Sequence, residues 1–428
     1  MYIWTLIGLV SIALVFYKFL HGLGKTLPFL ELLLLLAGLQ WIVGAYIEYQ
    51  TPFEHYKYYM YVKEEEYMGF VVPAYCCFSF VLLYFSSKFG FNQINIEKLA
   101  NYSDFAIKLL LFSLIIDFTS SFAPPQLKFV FFLIANMKYV AAIILYFSSV
   151  DWHKYVLYGA VAILLFRSLS SAMFHDFLLW SVFFYIFWSF QKKPSIVLSL
   201  SILLSGFLIS TVIQSVKSDY RSVIWAEQGF SGNKTTLFLD ILTAKLSGGL
   251  SDDQEDNEAL NVRLNQGWII SAVIDHTPKI EPFANGETIK EAVFATLLPR
   301  VLYEDKKQAG GVENFERFTG LSLSSGTSMG LSILGEAYAN FGKNGGVIFM
   351  GVWGITLGLI WRFLTVQTNR NSIFLFFIPL FFLQAVKAET ELVVVFNHLI
   401  KAILLVFLMI FFASNMLNIQ LENQSNEH

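Results

Sequence analysis

The chain has 428 residues, of which 56% are apolar and only 14% are Asp, Glu, Lys or Arg. Soluble domains carry roughly 25% charged residues, so this composition excludes an ordinary soluble protein and indicates an integral membrane protein. The formal net charge is −3, and the few charges lie between long apolar runs. No basic face follows a nucleic-acid backbone, so nucleic acid is excluded as a partner and the lipid bilayer is the expected environment.

Long apolar segments are expected to cross the bilayer as helices. The hydrocarbon core is ~30 Å thick and an α-helix rises about 1.5 Å per residue, so one crossing takes about 20 mostly apolar residues. By this measure the sequence predicts about 11 spans, the first of them a retained span rather than a removed signal peptide. They lie near residues 3–18, 27–47, 68–86, 104–122, 127–148, 154–172, 174–191, 194–214, 345–364, 372–387 and 398–417.

The cations of the short loops and span ends predict the orientation. With the N-terminus outside, ten of these Lys and Arg residues face the cytoplasm and five face outward, which agrees with the positive-inside rule. The chain is therefore predicted to be an all-α polytopic membrane protein with three parts. These are an N-terminal transmembrane bundle (1–214), a large extracytoplasmic loop containing short helices (215–344), and C-terminal transmembrane helices (345–428).

Apolar periodicity and capping residues predict four helices within the loop. They are 235–246, 258–275, a helix opened by a Thr288–Glu291 capping box and stopped by Pro299, and 329–341, which ends at Gly342. The acidic run 252–258 lacks the glycine and glutamate of an EF-hand, so it is interpreted as a solvated turn, with weak divalent binding as the alternative. No metal or cofactor is expected.

Cationic loop residues are the candidate ligands for an anion. Arg263 and Gly267 lie one helical turn apart, and the missing side chain of the glycine would leave room for a ligand beside the guanidinium. Close helix packing is the alternative interpretation of Gly267. Arg300 projects beyond the stop at Pro299, with Lys306 in the following loop, and a solvated charged face is the alternative for this pair.

Two residues are candidates for a general base. Glu336 lies two to three turns before the span that begins near residue 345, with Asn340 one turn further on, and partial desolvation there would suit a carboxylate to accept a proton. A salt bridge to a loop arginine is the alternative. His276, beside Asp275, is the second choice, and capping of its own helix end is its alternative role.

Ionisable residues inside spans are costly and normally face a cavity or a partner. Lys138 lies near mid-membrane and is a candidate partner of Asp117. The others share the outer half of the predicted bundle, which indicates either structural ion pairs or a polar cavity open to the outside. They are Asp117, Arg167, His175, Asp176, Lys387, Glu389 and Glu391.

A series of residues between about 215 and 345 resembles a known family. In order, these are Asp219, Tyr220, Arg221, Arg263, Gly267, Pro278, Gly286, Pro299, Arg300, Lys306, Gly326, Thr327, Gly335, Glu336, Tyr338, Asn340, Phe341, Gly342 and Gly345. Arg221 and Gly232 are also spaced as in an Arg-x10-Gly motif. The pattern resembles the Wzy-type O-antigen and oligosaccharide repeat-unit polymerases, and the span count is similar.

The resemblance implies a GT-C-like membrane glycosyltransferase of the bacterial cytoplasmic (inner) membrane with its active site on the periplasmic side. Such enzymes polymerise undecaprenyl-pyrophosphate-linked oligosaccharides into the O-antigen of lipopolysaccharide or a related polysaccharide, without a metal, and a chain-length regulator is an implied partner. The implied site has three groups of residues. Arg221, Arg263, Arg300 and Lys306 bind the pyrophosphate, Glu336 or His276 is the base, and Gly267, Tyr338, Asn340 and Arg167 support them.

Two rival functions stay open. An O-antigen ligase uses the same donor and similar arginines but transfers the glycan to lipid A core or to protein. A transporter or flippase of lipid-linked sugars is the option without chemistry, and its expected marks are inverted repeats and charges at the midplane. The position of the polar site, beside the loop or at the midplane, is the feature that separates transfer from transport.

Overall fold

The structure is a computed structural model that describes residues 2–52, 58–87, 102–224, 230, 232–247, 264–298, 311–323 and 328–415. Within these ranges the chain is all-helical and contains no strand. It divides into two compact units. Unit 1 comprises Met1–Phe19, Phe29–Ile94 and Val262–His428, and unit 2 comprises Leu20–Pro28 and Asn95–Asn261.

The helices are numbered here in chain order. The first half contains α1 (Ile3–Gly22), α2 (Phe29–Gly38), a π-helical turn (Leu39–Val43), α3 (Gly44–Gln50), α4 (Glu64–Ser87), α5 (Ser103–Thr119), α6 (Lys128–Tyr146), α7 (Lys154–Ser171), α8 (His175–Lys192) and α9 (Ile196–Ile224). The second half contains α10 (Lys234–Ser247), α11 (Gly267–His276), α12 (Glu287–Leu297), α13 (Val312–Thr319), α14 (Ser332–Arg370), α15 (Ile378–Phe382) and α16 (Leu392–Asn415). Short 3₁₀ turns cover Ser120–Phe122, Asp151–His153 and Ser372–Phe377.

Eight helical segments of the described residues are long and apolar enough to cross a membrane, so the expected membrane class is confirmed while the count of eleven is not. They are Ile3–Gly22, Phe29–Gln50, Glu64–Ser87, Ser103–Phe122, Lys128–Tyr146, Ile196–Ile213, Ser332–Arg370 and Leu392–Asn415. The predicted spans 154–172 and 174–191 form α7 and α8, whose charged and polar residues lower their hydropathy. The predicted span 372–387 begins with short helical pieces instead.

The boundary between the two units near residue 261 lies within the predicted loop 215–344. In unit 2, α10 packs on α9 and α7, and its observed bounds confirm the predicted helix 235–246. In unit 1, the short helices α11 and α13 pack on each other, and α11 also contacts α14. Buried aromatic and aliphatic side chains such as Trp268, Phe315 and Phe318 form the core between them.

Close packing between α4 and α14 comes from small residues. Glycines at 351, 354 and 358 lie on the face of α14 that meets α4, and a Cβ added at Gly354 would lie 3.0 Å from the backbone oxygen of Phe78. In membrane proteins small residues let helix backbones approach closely, and the gain in van der Waals contact replaces the missing hydrophobic drive. The glycine positions thus align α14, which carries Glu336, against a second candidate span.

The helix that the sequence predicts to end at Gly342 does end there, because the backbone at this residue is non-helical. The predicted helix 329–341 is the first part of α14, which begins at Ser332 and continues through the kink to Arg370. Gly342 has φ 64° and ψ −165°, a backbone region that is essentially restricted to glycine. The first helical segment therefore ends at this residue, and a second segment follows it to Arg370.

We expect Gly342→Ala to destabilise unit 1 by about 1–3 kcal/mol, because the backbone at this position disfavours any Cβ. The added Cβ would also lie 2.9 Å from the ring of Phe283. The measurement is the melting temperature of the purified protein in detergent. Gly335→Ala on the same helix is the matched control, since its Cβ would make only ordinary contacts of 3.5 Å or more. Equal melting temperatures for the two variants would contradict the kink.

Candidate functional site

The carboxylate of Glu336 is the centre of a buried polar network in unit 1. The residue is 2% exposed. Its Oε1 accepts a hydrogen bond from the Thr288 hydroxyl at 2.7 Å, and its Oε2 accepts one from the backbone N–H of Leu392 at 3.0 Å. Leu392 is the first residue of α16, so the carboxylate satisfies one of the N–H groups that a helix start leaves unpaired and meets the positive end of the helix dipole.

Asn340, one turn after Glu336, ties the same network to the turn at residues 284–288. Its Nδ2 donates to the Thr288 hydroxyl and to the backbone oxygen of Glu336, both at 2.8 Å. Its Oδ1 accepts from the backbone N–H of Gly286 at 2.9 Å. Asn285 and Gly286 both have positive φ, which asparagine and glycine tolerate best. The turn is therefore held to α14 by side-chain contacts as well as by its backbone.

The predicted Thr288–Glu291 capping box is wrong. Helix α12 begins at Glu287 after Gly286, which occupies the N-cap position, so Thr288 lies inside the first turn. Its hydroxyl points to Glu336 rather than to the start of its own helix. The sequence contains a signal for this turn, because Asn-Gly pairs commonly occupy positions with positive φ.

Burial of the Glu336 side chain limits the direct access of a substrate to its carboxylate. Glu336 is 2% exposed and Thr288 is 3% exposed, so neither oxygen of the carboxylate is open to a bulky sugar in this conformation. A buried carboxylate with hydrogen bonds to a hydroxyl and to a helix start is well suited to fix the position of the segments around it. The geometry therefore suits Glu336 to a positioning role, and its role as a base stays a prediction.

A second buried carboxylate, that of Glu391, lies immediately before α16. Glu391 is 3% exposed, and its Oε1 accepts from the backbone N–H of Leu331 at 3.3 Å. A Cβ added at Gly330 would lie 2.9 Å from Cγ of Glu391, so the chain runs directly past this side chain. The hydrogen bonds that Glu336 and Glu391 accept therefore connect the beginning of α14 to the beginning of α16. An acidic residue immediately before an apolar span was the sequence signal for this role.

His276 ends α11 and is only half-buried. Its ring lies against Gly320, where an added Cβ would be 2.6 Å from Cε1 of the imidazole. Asp275, its neighbour in sequence, pairs with Lys279 at 2.6 Å. The hydrogen bond that Lys279 donates to Asp275 raises the pKa of Lys279. His276 is thus the more accessible of the two base candidates.

Arg317 is a residue of this region that the sequence analysis did not single out. Its Nε donates to Glu281 at 2.6 Å, and its terminal nitrogens donate to Glu287 at 3.1 and 3.2 Å. The hydrogen bond to Glu281 is the main cause of its raised pKa. One arginine thereby joins α13 to the start of α12 and to the preceding turn. Its sequence signal was weak, because a charged residue on a short amphipathic helix is usually solvated.

Gly267 and Tyr338, two predicted supporting residues, lie in packed surroundings. The space where Gly267 would carry a side chain is occupied by Tyr67, Ala45 and Asn265, so the close-packing interpretation describes this position and the predicted room for a ligand is absent there. Tyr338 is partly buried, with ring centroids 5.0 Å from Phe70 and 6.1 Å from Phe283. Both residues thus make packing contacts on the helices that carry His276 and Glu336.

Arg221 belongs to unit 2, near the end of α9. Its Nε donates to the backbone oxygen of Ala172 at 2.9 Å, and Lys234 donates to the oxygen of Ser170 at 2.8 Å. The buried Tyr220 donates to the oxygen of Leu169 at 2.7 Å. These three donors satisfy carbonyls at the end of α7, where cations are favoured by the helix dipole. Burial lowers the pKa of Arg221.

The predicted pairing of Lys138 with Asp117 is confirmed, and Arg167 joins it. Lys138 Nζ lies 3.0 Å from Asp117 Oδ2. The Arg167 guanidinium donates to Oδ1 of the same carboxylate at 2.9 Å and also contacts its Oδ2. Lys138 is buried and the Asp117 side chain is 9% exposed, whereas the Arg167 side chain is 51% exposed. The Asp117 carboxylate is therefore paired with two cationic side chains of unit 2.

Several predicted site residues lie outside the described residues. These are Arg263, Arg300 and Lys306, together with the acidic run 252–258. The remaining ones divide between the units: Arg221 and Arg167 are in unit 2, and Glu336, His276, Gly267, Tyr338 and Asn340 are in unit 1. Among the described residues, no group of three or more His, Cys, Asp or Glu side chains has the arrangement of a metal site.

Comparison of the chain with protein-family models, with curated proteins and with solved structures finds no match. The resemblance to the polymerases is therefore carried by the residues of this chain alone.

Proposed function

We propose that this membrane protein is a glycosyltransferase that polymerises oligosaccharide repeat units linked to a polyprenyl diphosphate, with undecaprenyl pyrophosphate as the carrier. The proposal combines the residue pattern between about 215 and 345 with an all-helical membrane architecture. The placement of the site on the periplasmic side of a bacterial inner membrane is part of the proposal and follows from the predicted orientation.

The observation that carries the proposal is the position of the Glu336 network on α14. The non-helical backbone at Gly342 divides α14 into a segment before it and a segment after it. The 28 residues from 343 to 370 rise about 42 Å, which by itself is enough to cross ~30 Å of hydrocarbon. The ten residues before the kink at Gly342 contain Glu336 and Asn340, and they pack with the short helix α11. The polar network lies on the segment before the kink, outside the stretch that is needed to cross the bilayer. This position supports chemistry beside the bilayer rather than passage through it.

The proposed reaction needs a base and a set of cations. The acceptor hydroxyl oxygen attacks the anomeric carbon of the donor glycan, the bond from that carbon to the diphosphate oxygen breaks, and the hydroxyl proton goes to the base. We assign the base role to His276, which is only half-buried, and a positioning role to Glu336. Arg263, Arg300 and Lys306 would hold the departing diphosphate, because a guanidinium binds two phosphate oxygens at once and stays charged.

The direct test is elongation in vitro by the purified full-length chain. A defined oligosaccharide on undecaprenyl pyrophosphate should be converted into a ladder of longer lipid-linked glycans, and the ladder should persist in EDTA because fixed cations replace a metal. Gel electrophoresis of fluorescently labelled glycan measures the product. Transfer only to lipid A core or to protein would identify a ligase instead. Strict dependence on an added divalent metal would contradict stabilisation by cations alone.

One observation favours transport as the second candidate. Asp117 and Lys138 lie in candidate spans and pair with each other, and charges inside spans often mark the path of a transported substrate. Proteoliposomes containing the protein and a fluorescent lipid-linked glycan separate the two functions. Movement of the label between leaflets without lengthening would favour transport, whereas lengthening without movement would favour polymerisation.

A further inference from the structure

We propose that α12 is a re-entrant helix, whose outward face contacts the acyl chains of the membrane leaflet on the Glu336 side. The sequence predicts all of 215–344 as an extracytoplasmic loop, so the proposal assigns one helix of that loop to the bilayer. The partner that this face fits is lipid hydrocarbon rather than a soluble ligand. The proposal does not depend on glycan transfer.

The first argument is the place where α12 begins. Thr288, in its first turn, donates a hydrogen bond to Glu336, and the same carboxylate accepts one from the backbone N–H of Leu392, the first residue of α16. The N-cap residue Gly286 lies beside Phe341, since an added Cβ would be 3.6 Å from that ring. The starts of α12 and α16 are therefore close to each other and to the end of the first segment of α14.

The second argument is the direction of α12. The helix packs more extensively against α16 than against any other helix. Its buried residues are small and form one stripe that continues into its last turn, namely Thr288, Ala292, Ala295 and Thr296, and small residues allow two helices to approach closely. Two helices that begin together and stay packed along their length run in the same direction. Because α16 is a candidate span of 24 residues, α12 enters the bilayer beside it.

The third argument is the exposed surface of α16. Its exposed large apolar side chains begin at Leu404 and include Leu408, Phe411 and Phe412. Every residue of α16 before Leu404 is buried or half-buried, over a stretch that rises about 18 Å. With eleven residues, α12 is about 16 Å long and can cover most of this stretch. It thus occupies the place that lipid takes further along α16.

The fourth argument is the chemistry of the outward face, where Glu287, Lys290, Phe294 and Leu297 are exposed along one side of α12. The three charged residues of the helix lie within its first five positions, and 292–298 contains none. Phe294 and Leu297 are 52% and 61% exposed and lie about 10 to 15 Å from the helix start. That distance corresponds to the acyl chains of one leaflet when the hydrocarbon is ~30 Å thick. Hydrocarbon is the favourable solvent for both side chains.

The test is spin labelling of the full-length chain in vesicles of phosphatidylcholine and phosphatidylglycerol. Single label sites are introduced as Phe294→Cys and Leu297→Cys, with Lys290→Cys on the same side of the helix as the matched control, after Cys76→Ser and Cys77→Ser. Collisions of the label are measured with oxygen, which dissolves in hydrocarbon, and with the polar complex nickel ethylenediaminediacetate. We expect the ratio of oxygen to nickel collisions at Phe294 and Leu297 to exceed that at Lys290 by about fivefold or more, because hydrocarbon excludes polar solutes.

The outcomes separate lipid from water and from protein. Equal ratios at Phe294, Leu297 and Lys290 would place the face in water and overturn the proposal. Low collision rates with both reagents would also overturn it, because a second copy of the chain or another protein would then cover the face. If the cysteine-free chain fails to fold, Phe294→benzoylphenylalanine in the natural chain should form photocrosslinks to phospholipid acyl chains, and the absence of lipid crosslinks would overturn the proposal. Neither assay involves turnover, so the result is independent of the elongation experiment.

Discussion

Replacing Arg263 or Arg300 with alanine is expected to abolish long-chain glycan while the protein stays in the membrane. A guanidinium about 4 Å from a developing diphosphate charge is worth about 4 kcal/mol at an effective dielectric constant near 20. Loss of that amount slows the transfer step by about a thousandfold. The measurement is the length distribution of glycan in vitro, together with the amount of protein in the membrane fraction.

The lysine variants and a distant arginine make this test specific. Arg263→Lys and Arg300→Lys should also be impaired, because a point charge does not reproduce the two parallel hydrogen bonds of a guanidinium. Arg370→Ala, at the exposed end of α14, should leave the ladder unchanged and serves as the control. Wild-type chain lengths in both alanine variants would refute the assigned role of these arginines.

Glu336→Ala is expected to destabilise the protein by about 3 kcal/mol or more. The substitution leaves the Thr288 hydroxyl and the Leu392 N–H without their buried acceptor, and each hydrogen bond to a charged group contributes about 1.5–3 kcal/mol. The melting temperature of the purified protein in detergent measures this loss. Glu65→Gln, an exposed acidic residue in the first turn of α4, is the control and should not change the melting temperature.

Glu336→Gln distinguishes positioning from proton transfer. The amide keeps an oxygen acceptor of the same shape, so we expect elongation to stay within about tenfold of wild type if Glu336 acts through the turn at 284–288. His276→Gln should instead lower the rate by about 100-fold to 10,000-fold, the usual contribution of a general base. The reverse pattern, with a large loss in Glu336→Gln at an unchanged melting temperature, would move the base role back to Glu336.

Local features of the sequence predicted the parts of this protein that depend on composition and periodicity. The membrane class follows from apolar runs long enough to cross a bilayer, and the helix 235–246 follows from apolar residues at helical spacing. The pairing of Lys138 with Asp117 was also predictable, because two opposite charges in adjacent spans have few other partners in hydrocarbon. Each of these inferences uses information contained in one segment or in neighbouring segments of the chain.

The candidate site depended on contacts between distant segments. Thr288 reaches Glu336 across 48 positions, and the start of α16 reaches the same carboxylate across 56 positions. The capping box at Thr288 was a locally sensible interpretation, yet the hydroxyl satisfied a buried carboxylate instead. Gly267 likewise had two interpretations until Tyr67 and Ala45 were seen to fill its surroundings.

The sequence by itself thus determined that this chain is a helical membrane protein. Only the tertiary structure decided that Glu336 is buried beneath a turn and that one carboxylate is shared by Lys138 and Arg167. The physical reason is that hydropathy and helical periodicity act along the chain. Burial of polar groups is decided by which segments pack together, because each such group must find its partner there.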